Sequence, residues 1–142
     1  MKNLKFQYLD HTGDAQFRAF GDSLEQAFQN AAQATANLMW DPDQIKGRIK
    51  KRIQISGKDR EQLLVNFLEE LVFLFESQEF LLHSVMDLSI KQVKKGFHLE
   101  ALFLGDRLSE EHDIYGSVKA VTYNDMKIKS NDHYMVQVVL DI

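Results

Sequence analysis

The 142-residue chain contains no cysteine, which excludes disulfides, thiolate metal sites and cysteine nucleophiles whatever the fold. Any metal must therefore be held by oxygen or imidazole. Proline occurs once, at Pro42, so the chain has one strong helix stop and nothing resembling a proline-rich linker. An excess of basic charge is missing as well: 17 Lys and Arg against 21 Asp and Glu leave a net charge of −4. Binding of nucleic acid through its phosphates needs a basic face, so RNA would be met only indirectly, on a partner. No run reaches the roughly 18 apolar residues of a membrane span, and "MKNLKFQYLDHTGD" lacks the apolar core of a secretory signal. The expectation is a cytoplasmic protein without a membrane role.

What is present is ordinary globular usage, 44% hydrophobic and 27% charged, at a length that suits one domain over 1–142. In "GDSLEQAFQNAAQATANLMW" the apolar residues Leu24, Ala27, Phe28, Ala31, Ala32, Leu38 and Met39 fall at helical spacing. Asp22 or Ser23 is placed as N-cap, with Gln26 set for a capping box. "WDPDQ" ends this helix at a turn built on Asp41 and Asp43. A second helix starts at Asp59 and carries Leu63, Leu64, Phe67, Leu68, Leu71, Val72 and Phe75 on one face. Val65, Phe73 and Leu74 spread beyond that face, which predicts cover from more than one side, while Glu69 and Glu70 mark the solvated side.

The remaining segments alternate as strands: "KFQYL", "AQFRAF", "GRIKKRIQIS", "VMDLSIKQV", "FHLEALFLG", "SVKAVTY" leading into "MKIK", and "HYMVQVVLDI". Two helices with this many strands, and no repeat or linker, predict an α+β fold with both helices packed on a largely antiparallel sheet.

One turn and one end stand out. "YLDHTGD" puts Asp10, His11, Thr12 and Asp14 between two strands, with Gly13 free to bend the backbone. Such a turn offers several oxygens to a hard cation such as calcium, and equally the side chains that any turn uses to bond its own backbone. At the other end, "YMVQVVLDI" is β-patterned to its last residue, so Asp141 and the Ile142 carboxylate are held side by side. Adjacent anions repel unless a cation or donor offsets them, and a strand ending near the acidic turn would form a negative pocket. His11 is placed either as a ligand or as a donor to a neighbouring carboxylate.

These stretches, together with "LLVNFLEELVFLFE" and "VKAVTYNDM", resemble the archease family from Tyr8 to Ile142. The resemblance implies a small α+β protein that is not itself an enzyme and binds a divalent cation, usually described as calcium. The second Asp of the DHTxD turn, the penultimate Asp and the terminal residue carry over as Asp14, Asp141 and Ile142. It also implies a partner: an RtcB-type RNA ligase, which seals 2′,3′-cyclic-phosphate or 3′-phosphate ends to 5′-hydroxyl ends in tRNA splicing and RNA repair. Archease proteins promote guanylylation of that ligase and permit multiple turnover.

Two departures from the family pattern are Gly13, where Ala is usual, and Asn124, where His is frequent. Lys119 becomes a candidate contact to the ligase or its nucleotide, beside the plainer reading of a lysine snorkelling from a half-buried strand. The alternatives are a chaperone-like modulator of a tRNA methyltransferase and a metal-dependent phosphoester hydrolase. Against the hydrolase, no nucleophile with an oriented base, no glycine-rich phosphate loop and no Walker-type lysine stands in the sequence.

Overall fold

Alternation and helical spacing resolve into seven strands and two long helices in the computed structural model, which describes residues 4–142. In chain order these are β1 (Phe6–Leu9), β2 (Ala15–Gly21), α1 (Leu24–Asn37), β3 (Ile49–Gly57), α2 (Arg60–Gln78), β4 (Phe80–Val93), β5 (Gly96–Arg107), β6 (Ala120–Ser130) and β7 (Tyr134–Asp141). The strands form two sheets rather than one: β1-β2-β7-β6 and β3-β5-β4, with every pairing antiparallel. The α+β architecture is as the sequence predicts. The division into two sheets was not visible there, because pairing partners are chosen by non-local burial.

Each helix begins where its cap chemistry dictates. Ser23, not Asp22, is the N-cap of α1: its Oγ accepts from the Gln26 amide at 3.1 Å, while Gln26 Oε1 reaches back to the Asp22 amide at 2.6 Å. Asp59 caps α2 by accepting from the Gln62 amide at 2.8 Å. The single proline opens a short 3-10 turn, Pro42–Gln44, capped by the Asp41 side chain. After α2, Glu79 adopts a left-handed φ of 55° and passes the chain directly into β4. That strand therefore starts at Phe80, five residues before the alternating stretch "VMDLSIKQV". Its first three residues are all buried, so they show no alternation to read.

Both helices touch both sheets: α1 packs on β2 and β4, and α2 on β3, β4 and β6. This explains why Val65 and Leu74, off the main face of α2, are buried; Phe73, also expected to be covered, is instead 57% exposed, because neither sheet covers that side of the helix. Alanines at 27, 31, 32, 34 and 36 are fully buried and let α1 approach its neighbours closely. At the centre, Phe67 meets Phe28 in a tilted contact at 5.8 Å and Phe103 edge-to-face at 5.7 Å. Trp40 is fully buried and donates its Nε1–H to the Leu82 carbonyl at 3.0 Å, pinning the end of α1 to β4. Gly105 is required by close packing, since a Cβ there would run into the Leu81 carbonyl of the neighbouring strand. Among the described residues no helix is long and apolar enough to cross a membrane.

Candidate functional site

The acidic turn is the hairpin between β1 and β2, whose last pair is Leu9 with Gln16. Gly13 holds φ at +78°, left-handed backbone that an L side chain adopts only with strain. This curls the Asp10–Asp14 loop back on itself. His11 lies between two carboxylates: its Nδ1 is 3.5 Å from Asp14 Oδ2 and its Nε2 is 4.0 Å from Asp125 Oδ2. The Nδ1 atom is buried yet makes no hydrogen bond, a polar group with unused capacity beside Asp14.

The chain end arrives at the same place through strand register. The β2–β7 ladder runs to Ala15 opposite Leu140, so one further step along each strand reaches Asp14 and Asp141. On the other side β6 pairs Ala120 with Asp141, and the Lys119 amide donates to the Asp141 carbonyl at 2.7 Å. Asp141 is thus held by β6 on one side, one step beyond the last β2–β7 pair on the other, with Ile142 immediately after it. Asp14, Asp141 and Ile142 therefore share one corner of the four-stranded sheet. Their donors are all oxygen and carry net negative charge, a set that fits a hard divalent cation.

Asp125 escaped the sequence reading. The pairing of β6 with β7 is interrupted between Thr122 and Lys127, and Asp125 sits within the interruption at a left-handed φ of 50°. Its carbonyl accepts from Gln137 Nε2 at 2.7 Å, and Gln137 Oε1 in turn accepts from Arg18 Nε at 2.8 Å. Gln137 is only 3% exposed, so this relay satisfies a buried amide and fixes the bulge against the sheet. The signal was "YNDM", turn-forming residues inside a strand. Asn124 is exposed and its amide bonds Thr122 Oγ1 at 3.3 Å. Lys119 lies just before β6 rather than within it, and its side chain is exposed at the rim of a groove against α2. Its predicted strand neighbours diverge, Val121 being buried and Tyr123 54% exposed.

A second constellation, also missed from sequence, brings ligand atoms of Asp106, Glu111 and His112 within 4.8 Å of one another. Its chemistry argues against a metal. His112 Nδ1 accepts from the Ser109 amide at 3.0 Å, so the neutral ring carries its proton on Nε2, the atom facing Glu111 at 3.7 Å. Histidine ligands show the opposite arrangement, in which the outer nitrogen donates and the inner one offers its lone pair. Asp106 is already engaged by Arg48 at 3.4 Å and by the Arg107 amide at 2.9 Å. The triad is a structural network that closes the loop after β5.

Comparison with known proteins addresses the whole of this architecture. Residues 6–142 match the model of the Archease protein family. The chain belongs to the archease family. It is 34% identical to the protein archease of Methanosarcina mazei over 140 residues, covering 97% of this chain and 96% of that one. It is 36% identical to protein archease of Methanothermobacter thermautotrophicus over 138 residues, covering 96% and 98%. The solution structure of Methanobacterium thermoautotrophicum protein 1598 superposes with a TM-score of 0.83 at 31% identity, covering 97% of this chain and 99% of that one. The family match takes in both ends of the candidate site, the turn and the closing strand.

Proposed function

We propose that this archease-family chain is a cytoplasmic accessory protein, without catalysis of its own, that binds a divalent cation and activates an RtcB-type RNA ligase in tRNA splicing or RNA repair. The observation that carries the reading is the family match across residues 6–142, with Asp14, Asp141 and Ile142 gathered at one corner of the sheet. Asp14, Asp141 and the Ile142 carboxylate are the proposed ligands, and calcium is the proposed ion. When bound, the ion supplies positive charge that offsets the clustered carboxylates.

The protein's own residues do the rest. Pairing with β6 fixes Asp141, Gly13 bends the turn that carries Asp14, and His11 Nδ1 lies 3.5 Å from Asp14 Oδ2. Lys119, tied through its amide to Asp141, is the proposed contact to the ligase, and RNA is engaged only through that partner.

The test is guanylylation and sealing by an RtcB-type ligase with GTP, with and without substoichiometric amounts of this protein and calcium. The expected result is more than one sealing event per ligase. Lys119→Ala should reduce that stimulation while leaving calcium binding unchanged. Unaltered ligase turnover at every ratio would remove the reading. Phosphoester hydrolysis by the protein alone would replace it with the hydrolase, and altered aggregation or specificity of a tRNA methyltransferase with the chaperone-like role.

A further inference from the structure

The outer side of α2 carries an exposed surface away from the cation corner, sharing only Lys119 with the proposed ligase contact. Glu69, Phe73 and Glu76 stand at i, i+4 and i+7, so they form one stripe along the helix. Phe73 is 57% exposed although its neighbours Val72 and Leu74 are buried. The stripe borders a groove of about 250 Å3 between α2 and the start of β6, floored by Val72 and Val121 and edged by Glu69, Glu76 and Lys119. Beside it, where the β6 bulge begins, Tyr123 presents a second aromatic ring, 54% exposed. Its phenol is held above the ordinary value by desolvation and then by the negative field of Asp59 and Glu69. Phe73 between the Glu69 and Glu76 carboxylates, with Lys119 on the facing edge and Tyr123 two residues along β6 from Val121, makes an apolar strip with an acidic helix side. Strips of that kind mark binding surfaces, and the rim selects the charge of what binds.

We propose that this groove receives an amphipathic helix of another protein, one that lays aliphatic side chains between Phe73 and Tyr123 and sets Lys or Arg against Glu69 and Glu76. The two glutamates are separated by two helical turns, about 10 Å along the axis. A helix lying along α2 would match them with cations at i and i+7 and apolar residues at i+3 and i+4. An acidic helix is rejected by the same rim.

A synthetic alanine-based helix with Arg at i and i+7 and Leu at i+3 and i+4 is the probe, titrated by amide NMR and calorimetry. Shifts are expected on α2 and the first half of β6. Phe73→Ser should weaken binding about tenfold or more. Glu69→Lys with Glu76→Lys should lose the Arg peptide and gain one bearing Glu at the same positions. Both changes lie on exposed positions, so unchanged melting temperatures confirm that the fold is intact. Equal binding of the Arg and Glu peptides, shifts confined to another face, or indifference to Phe73→Ser would overturn the proposal. So would concentration-dependent self-association that Phe73→Ser abolishes, since it would give the surface to a second copy of this chain. Neither peptide nor readout involves a cation or a ligase, so this surface stands or falls apart from the cation site.

Discussion

Replacing Asp14 with Asn keeps the size and polarity of the side chain beside His11 while removing one anion from the sheet corner. Its effect has two parts with opposite signs. In the metal-free protein, Asp14 follows a ladder that leads to Asp141, and adjacent antiparallel residues lie about 5 Å apart. Two unit charges at that separation repel by about 1 kcal/mol in water-like surroundings, the appropriate limit because Asp141 is exposed. For 142 residues the unfolding entropy is about 0.3 kcal/mol/K, so the variant should melt about 3 °C higher than wild type without cation.

With calcium at about 100 times its dissociation constant, mass action stabilises the wild type by about 2.7 kcal/mol. The same entropy converts this to a rise of about 9 °C, which the variant should lose. Differential scanning fluorimetry on both proteins, in chelator and in calcium, measures all four states at once. A variant that keeps the full calcium shift would move the site elsewhere and leave the turn a plain hairpin. A metal-free variant less stable than wild type would show that Asp14 serves the fold rather than a ligand.

Other outcomes follow from the same geometry. A residue appended after Ile142 turns its carboxylate into a neutral amide, so the calcium-induced rise should shrink relative to an N-terminally extended control; equal shifts would make that carboxylate a bystander. Gly13→Ala should destabilise by about 1 to 2 kcal/mol in chemical denaturation, entirely through the φ of +78°, because nothing lies within 4 Å of the new methyl group. Tyr8 is 41% exposed overall, but its hydroxyl donates to the Ala34 carbonyl at 2.7 Å, and desolvation there raises its phenol above 10.0, the ordinary value. The folded protein then holds that proton where the unfolded chain has released it, so stability is full below pH 10 and falls as pH rises beyond it. Tyr8→Phe should therefore cost about 1 kcal/mol at neutral pH and flatten that alkaline decline in urea titrations.

Both helices, their caps and most strand positions can be read from local chemistry. Asp59 marks the start of the second helix and the Asp22–Ser23 pair brackets that of the first, with Ser23 chosen only in the structure, while Pro42 marks the break and period-two alternation the strands. Composition alone excluded thiol chemistry and showed no excess of basic charge, and the "DHTGD" turn and closing "LDI" pointed to oxygen donors. None of this required distant contacts, because caps, turns and amphipathic periods are set within a few residues.

Only the tertiary structure decided what meets what. It split the strands into two sheets and began β4 at Phe80, where complete burial erases alternation. It brought Asp14 and Asp141, far apart in sequence, to neighbouring strand ends through the β2–β7 register. The β6 bulge sent Asp125 to His11, and the Ser109 amide fixed the His112 tautomer that argues against a metal there. Sheet partners, bulges and proton positions depend on which buried groups from remote segments must satisfy one another, and no local pattern encodes that choice.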